Sequence, residues 1–331
     1  MKAFVTGATG FVGSHLVRAL LSRGDSVRIL ARRADRAAAL VALGAEVVVG
    51  DIGEPSAVAG VTEGSDTVFH LVSAMSAQDA VFEQVDVQGT KALLREAERS
   101  GVRRFVYPGT LSGYAVLDQP DRAVLDEHCP FDSTGRLGNY ARAKGRGEQA
   151  VLDAGRRGTL EGVIVRLGLT CGVGTSVFPA HVCRMVGARR ALVFGDGRLP
   201  LPLVYVDNAV DALLLAAATP GLGGQAFNIV DDDVLTQQDY LDLYQSTTGR
   251  TLQVLKVPRV TYLALGAVTE LVAAIRGKEP ATTRYRVRQR LRNVRWDCRK
   301  AHRELQWRSR VPLREGLARS FAASVEGSSS G

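Results

Sequence analysis

Apolar positions along this chain alternate between short runs and longer amphipathic stretches. Residues 3–5 (AFV) are apolar and about one buried strand long. Between His15 and Leu21, the residues Leu16, Val17, Leu20 and Leu21 fall on one helical side. The pattern repeats with a strand at 26–31, a helix at 36–43 and a strand at 45–49. It repeats again with a strand at 67–72, a helix at 87–100 and a strand at 104–107. Residues 116–137 are polar and carry Pro120 and Pro130, which predicts a loop. A further helix opens at Asn139 and runs through Glu148 and Leu152. Strands alternating with helices predict an α/β fold, a doubly wound parallel sheet covered on both faces.

The turn between the first strand and first helix carries Gly7, Gly10 and Gly13, with Thr9, Phe11 and Val12 among them. A strand, a glycine turn and a helix form the arrangement that grips a dinucleotide pyrophosphate. One glycine allows the tight turn, one lets backbone approach the phosphates, and one lets helix pack on strand. The helix N-terminus adds unpaired N–H groups and a partial positive charge. The second strand ends at Ala31, followed by Arg32 and Arg33 where an NAD-selective site places a carboxylate. A guanidinium pairs with a 2′-phosphate that a carboxylate repels, so NADP is expected over NAD. Asp51 and Ile52 follow the third strand, on the adenine side of such a site; a turn-capping Asp51 is the plainer reading. Leu71 and Ser73 follow the fourth strand, and small residues there suit a backbone passing close to a ligand. His70, inside that apolar strand, reads as a core histidine.

Thr110 follows the fifth strand, at the carboxyl edge where open α/β sheets bind ligands, with Ser112 a nearby alternative. Tyr140 and Lys144 are four apart and share one helical face. An ammonium in that position is expected to lower the phenol pKa from its reference of about 10.

Composition changes the picture in a few places. The 331 residues suffice for one domain plus a smaller lobe, and 46% hydrophobic with 23% charged residues is ordinary for a soluble globular protein. Four unpaired-looking cysteines (Cys129, Cys171, Cys183 and Cys298) suggest neither a zinc site nor a disulfide framework, so no metal and a cytoplasmic setting are expected. The opening apolar run is too short for a signal peptide, and residues 260–275, which contain Glu270, are too short to span a bilayer. Net charge is +8, yet the arginines are scattered and no nucleic-acid motif accompanies them. The cluster of Arg284, Arg286, Arg288, Arg290 and Arg292 reads as a solvated face or subunit contact, with a phosphate-bearing partner as the alternative.

Taken together, these residues resemble the extended branch of the short-chain dehydrogenase/reductase superfamily. The likeness rests on the opening 6–13 turn, 50–52 (GDI), 68–71 (VFHL), Tyr140 with Lys144, 166–168 (RLG), 203–208 (LVYVDN) and the C-terminal pattern from Lys300 to Trp307. It implies a Rossmann-type domain over 1–169, revisited at about 204–230. A smaller α/β substrate lobe follows from 170–203 and 231–325, while the small, polar residues 326–331 read by composition as a disordered tail. The likeness also implies Tyr140 as general acid/base, Lys144 on the nicotinamide ribose, Thr110 on the substrate oxygen and Leu167 beside the nicotinamide. Asp86 stands where the family commonly has Asn, and Leu167 where it commonly has Pro. The wording around 195–203 and 282–287 is similar to the 3β-hydroxysteroid dehydrogenase-like and dihydroflavonol reductase-like members. The expectation is an NADP(H)-dependent ketoreductase or alcohol dehydrogenase for a bulky apolar substrate. A nucleotide-sugar epimerase or dehydratase and a non-catalytic NADP sensor are the alternatives. The resemblance also implies a homodimer through two helices. Residues 260–275 form an apolar amphipathic helix that fits an apolar ligand, a dimer face or plain core.

Overall fold

The computed structural model describes the chain except residues 75–77, 133, 278–279, 281 and 329–331. Seven parallel strands make the main sheet: β1 (Lys2–Thr6), β2 (Ser26–Ala31), β3 (Glu46–Val49), β4 (Thr67–His70), β5 (Arg104–Thr110), β6 (Glu161–Leu167) and β7 (Gln225–Ile229). Their order is β7-β6-β5-β4-β1-β2-β3, so the first strand lies inside the sheet, with Thr6 opposite Leu30 on one side and His70 on the other. Helices α1 (Phe11–Ser22), α2 (Ala34–Val41), α3 (Thr90–Arg99), α4 (Asn139–Arg157) and α5 (Val206–Ala218) cover it.

Both faces of the sheet are apolar, as buried parallel strands require. Leu16, Val17 and Leu20 of α1, Leu40 of α2 and Leu213 of α5 pack on one face with Val5, Ile29 and Phe69. Leu93 and Leu94 of α3, with Val151 and Leu152 of α4, pack on the other with Phe4, Val68 and Phe105. A third cluster joins Tyr205, Tyr240 and Leu241 to Leu313, Leu317 and Phe321. Its helices are α6 (Gln237–Thr248) and α10 (Leu313–Ser328); between them lie α7 (Arg259–Arg276), α8 (Arg284–Arg290) and α9 (Arg299–Glu304).

Several element ends differ from the sequence expectation. Helix α2 starts at Ala34 because Arg33, at the N-cap position, is extended and makes no side-chain cap, with Asp35 in the positive first turn. Strand β5 runs on through Pro108 and Gly109 to Thr110, paired residue for residue with β6. The helix leading into α3 begins at Asp79, through a π-helical stretch Glu83–Gly89, and not at 87. Residues 326–328 continue α10, so that part of the expected tail is helical; 329–331 lie outside the described residues. Helix α7 is not core: only Tyr262, Gly266 and Ala273 are buried along it, and Val260 and Ile275 are 70% and 77% exposed. Among the described residues no helix is long and apolar enough to cross a membrane.

Candidate active site

The turn after β1 takes the conformation its glycines allow. Gly7 has φ +69, and a Cβ there would stand 2.7 Å from the Leu71 carbonyl carbon. A Cβ on Gly13 would stand 2.1 Å from the Gly7 oxygen, so only glycine lets α1 approach β1 this closely. Helix α1 has no side-chain cap and no acidic residue in its first turn. Its orphan N–H groups therefore face a groove of about 290 Å³, lined by Gly7, Gly10, Phe11, Val12, Gly13, Leu71 and Ser73 at one end. Thr110, Tyr140, Lys144 and Leu167 line the other end. An uncapped helix N-terminus and glycine backbone at one end, a phenol and an amine at the other, fit a dinucleotide.

A second cavity of about 500 Å³ opens beside the first, walled by Leu111, Val116, Leu137, Leu169, Val294 and Trp296 among others. The two share Thr110, Tyr140, Leu167, Gly168 and Thr170. Tyr140 is thus at the doorway, 42% exposed, with its ring against Phe82. The Thr110 and Ser112 hydroxyls are 2.8 Å apart, and Thr110 is the hydroxyl beside the phenol.

The electrostatics differ from a simple tyrosine–lysine pair. Burial, with the Asp86 charge, raises the Tyr140 phenol above its ordinary pKa, and the Thr110 hydrogen bond lowers it in part. The net shift of the phenol is upward, opposite to the depression expected from Lys144. The Lys144 Nζ lies 4.0 Å over the Tyr107 ring, and its charged neighbours are Asp86 and Glu148. Burial pushes Lys144 down to about 8, against the pull of those two carboxylates. Asp86 accepts from the Ser73 hydroxyl at 2.6 Å and the Ala74 N–H at 2.8 Å, and burial raises its pKa. Glu148 accepts from Arg166 Nε at 2.9 Å, and burial raises it too. Both carboxylates were missed as site residues. Glu148 was findable, since 140, 144 and 148 stand on successive turns of one face. Asp86 was noticed only as a departure from a family pattern, and only the fold brings it to Lys144.

The remaining expectations divide. His70 is a core histidine: it bridges the Thr6 hydroxyl at 2.6 Å and the Thr90 hydroxyl at 2.9 Å, and burial holds it near 3. Thr9, Arg32, Arg33, Asp51 and Ile52 do not line the groove between α1 and Tyr140. Arg33 is tied to Asp35 by bonds of 3.0 and 2.6 Å, whereas Arg32 is exposed without an ion pair among the described residues. Asp51 caps its own turn through the Gly53 N–H at 2.9 Å, and Ile52 is buried in the core. The arginine cluster is not wholly a solvated face: Arg284 and Arg288 are exposed, but Arg286, Arg290 and Arg292 line the larger cavity.

The profile of the NAD dependent epimerase/dehydratase family matches residues 3–229. The chain belongs to that family, the extended short-chain dehydrogenase/reductases, and is an NAD(P)-dependent oxidoreductase. It is 29% identical to a 4-hydroxy-2-methyl-3-oxo-4-farnesyl-3,4-dihydroquinoline-1-oxide ketoreductase of Stigmatella aurantiaca, over 96% of this chain and 95% of that one. It is also 29% identical to a 3-beta-hydroxysteroid dehydrogenase of Mycolicibacterium neoaurum, over 96% of this chain and 89% of that one. The UDP-glucuronic acid 4-epimerase of Bacillus cereus, solved with UDP-glucuronic acid and NAD, has the same fold: TM-score 0.75 at 19% identity, covering 98% of this chain and 99% of that one.

Proposed function

We propose that the chain is an NADP(H)-dependent ketoreductase or alcohol dehydrogenase acting on a bulky, largely apolar ketone or secondary alcohol. The observation that carries this reading is the doorway, where a nucleotide-shaped groove and an apolar cavity meet at Thr110 and Tyr140. Two relatives whose names describe a farnesylated ketone reductase and a steroid dehydrogenase support the apolar substrate class. The unpaired Arg32 supports NADP. The reading assigns cofactor binding to 1–169 and 204–230, and substrate binding to 170–203 and 231–325.

When bound, the nicotinamide supplies or takes up the hydride. Gly10, Gly13 and the first turn of α1 would hold the pyrophosphate, and Lys144 would hold the nicotinamide ribose. Tyr140 donates its proton to the carbonyl oxygen as alkoxide character develops, and in reverse removes it from the alcohol. A phenol raised by burial keeps that proton until the oxygen claims it. Thr110 donates to the same oxygen and orients the phenol.

The test is NADPH oxidation against polycyclic and long-chain ketones, with Tyr140→Phe alongside. The variant is expected to lose about 10²–10⁴-fold in turnover while binding NADPH as before. Undiminished turnover would show another proton donor. Interconversion of sugar nucleotides on retained nucleotide, with no net NADPH oxidation, would make the chain an epimerase.

A further inference from the structure

Helix α7 carries most of its apolar residues on the side away from the protein. Tyr262, Gly266 and Ala273 face inward, and the Thr269 hydroxyl ties that side down by donating to the Thr282 carbonyl at 2.6 Å. By helical spacing Val260, Ala264, Val268, Leu271 and Ile275 form one stripe on the opposite side. All five are exposed, Val268 by 56% and Leu271 by 63%, and Leu265 and Val272 are exposed along one edge of the stripe. Arg259 and Arg276 stand at the two ends of the helix, exposed, between the stripe and the buried side. Glu270, the one carboxylate of the helix, is already met: Arg284 donates its backbone N–H and its Nε to it, each at 2.7 Å. The outer face is therefore apolar along its length and cationic at both ends.

A contiguous apolar stripe left in water marks a contact surface. A second copy of the chain is a poor occupant. Any two-fold pairing through α7 sets cation against cation: parallel helices align like ends, and antiparallel helices bring the Arg259 end to the Arg276 end. An anionic bilayer surface fits every feature of the face. The stripe sinks to the boundary between headgroups and acyl chains, the long arginine side chains reach back to lipid phosphates, and no unpaired carboxylate of the helix meets the anionic lipid. Since no described helix is long and apolar enough to cross a membrane, the contact runs along the surface. We infer that α7 docks this protein on membranes containing anionic phospholipid, through the stripe from Val260 to Ile275 and the two terminal arginines. The inference goes beyond the ketoreductase reading and stands whether or not a ketone is reduced.

The experiment floats the full chain with vesicles of phosphatidylcholine alone, or of phosphatidylcholine and phosphatidylglycerol in a two-to-one mixture. The mixed vesicles are expected to bind about 10-fold more tightly or better, and less tightly as salt is added. Val268→Gln combined with Leu271→Gln and Ile275→Gln should weaken that binding about 10-fold or more, and Arg259→Gln combined with Arg276→Gln about 5-fold or more. Arg95→Gln combined with Arg303→Gln removes the same charge from exposed sites on α3 and α9, and should stay within about twofold. A second readout does not rely on losing the contact. With mixed vesicles the added emission of Val268→Trp should shift to the blue and be quenched by brominated lipid, and that of Leu43→Trp, exposed after α2, should do neither. Flotation with neither vesicle or equally with both, binding indifferent to the stripe or to the terminal arginines, or a Val268→Trp signal that lipid leaves unchanged overturns the inference. A concentration-dependent dimer in lipid-free sedimentation, split by the stripe substitutions, also overturns it and makes the stripe a dimer face.

Discussion

Lys144 is the residue on which the site's chemistry turns. Its ammonium is buried between two carboxylates and a ring face, so its charge depends on neighbours and not on solvent. With its pKa near 8, it is an ammonium below that pH and a neutral amine above it. Activity that needs the ammonium therefore falls as pH rises through about 8. Asp86 attracts the Lys144 proton, so Asp86→Asn should move this alkaline limb to lower pH. The measurement is kcat/KM for ketone reduction across the pH range; a limb that stays put or moves up would separate Asp86 from Lys144. None of this was legible in the sequence. A Tyr and a Lys four apart on a helix can be read from spacing, but the direction of the amine cannot. It is set by Asp86 and Tyr107, which reach the site from other segments.

The elements tell a more even story. The β1–turn–α1 unit was fully readable, because local physics decides it: an apolar run, glycines where a Cβ would strike backbone, then a helical apolar side. The segment between β2 and α2 was readable in type but not in detail. Two arginines appeared equivalent there, yet Arg33 precedes α2 with its guanidinium paired to Asp35, which leaves Arg32 as the available guanidinium. Arg32→Gln should therefore raise the KM for NADPH by about 10-fold or more and leave NADH little changed, since charge-assisted hydrogen bonds are worth about 1.5–3 kcal/mol. Arg33→Gln should cost less. Equal losses, or equal losses with both nucleotides, would remove Arg32 from the 2′-phosphate. Helix α7 marks the opposite case. Its apolar residues suggested an apolar ligand, a dimer face or plain core, and the exposed side chains remove only the core, because hydrophobic periodicity says that one side is apolar, not what covers it.

For the whole molecule, strand–helix alternation was enough to foresee a parallel sheet, and the parallel order follows from it. The cavity was not foreseeable. Its walls come from Leu111, Leu169, Pro202 and Trp296, whose meeting depends on long-range packing that no local window contains. Strand order has a consequence for how the protein comes apart. Because β1 is hydrogen-bonded on both flanks, while β3 and β7 each have one neighbour, fraying starts at the margins and reaches the glycine turn last. Amide exchange should be slowest in β1 and faster in β3. On heating, the signal from bound nucleotide should vanish in the same transition as circular dichroism, with no earlier step in which the fold persists after its grip on the pyrophosphate has gone.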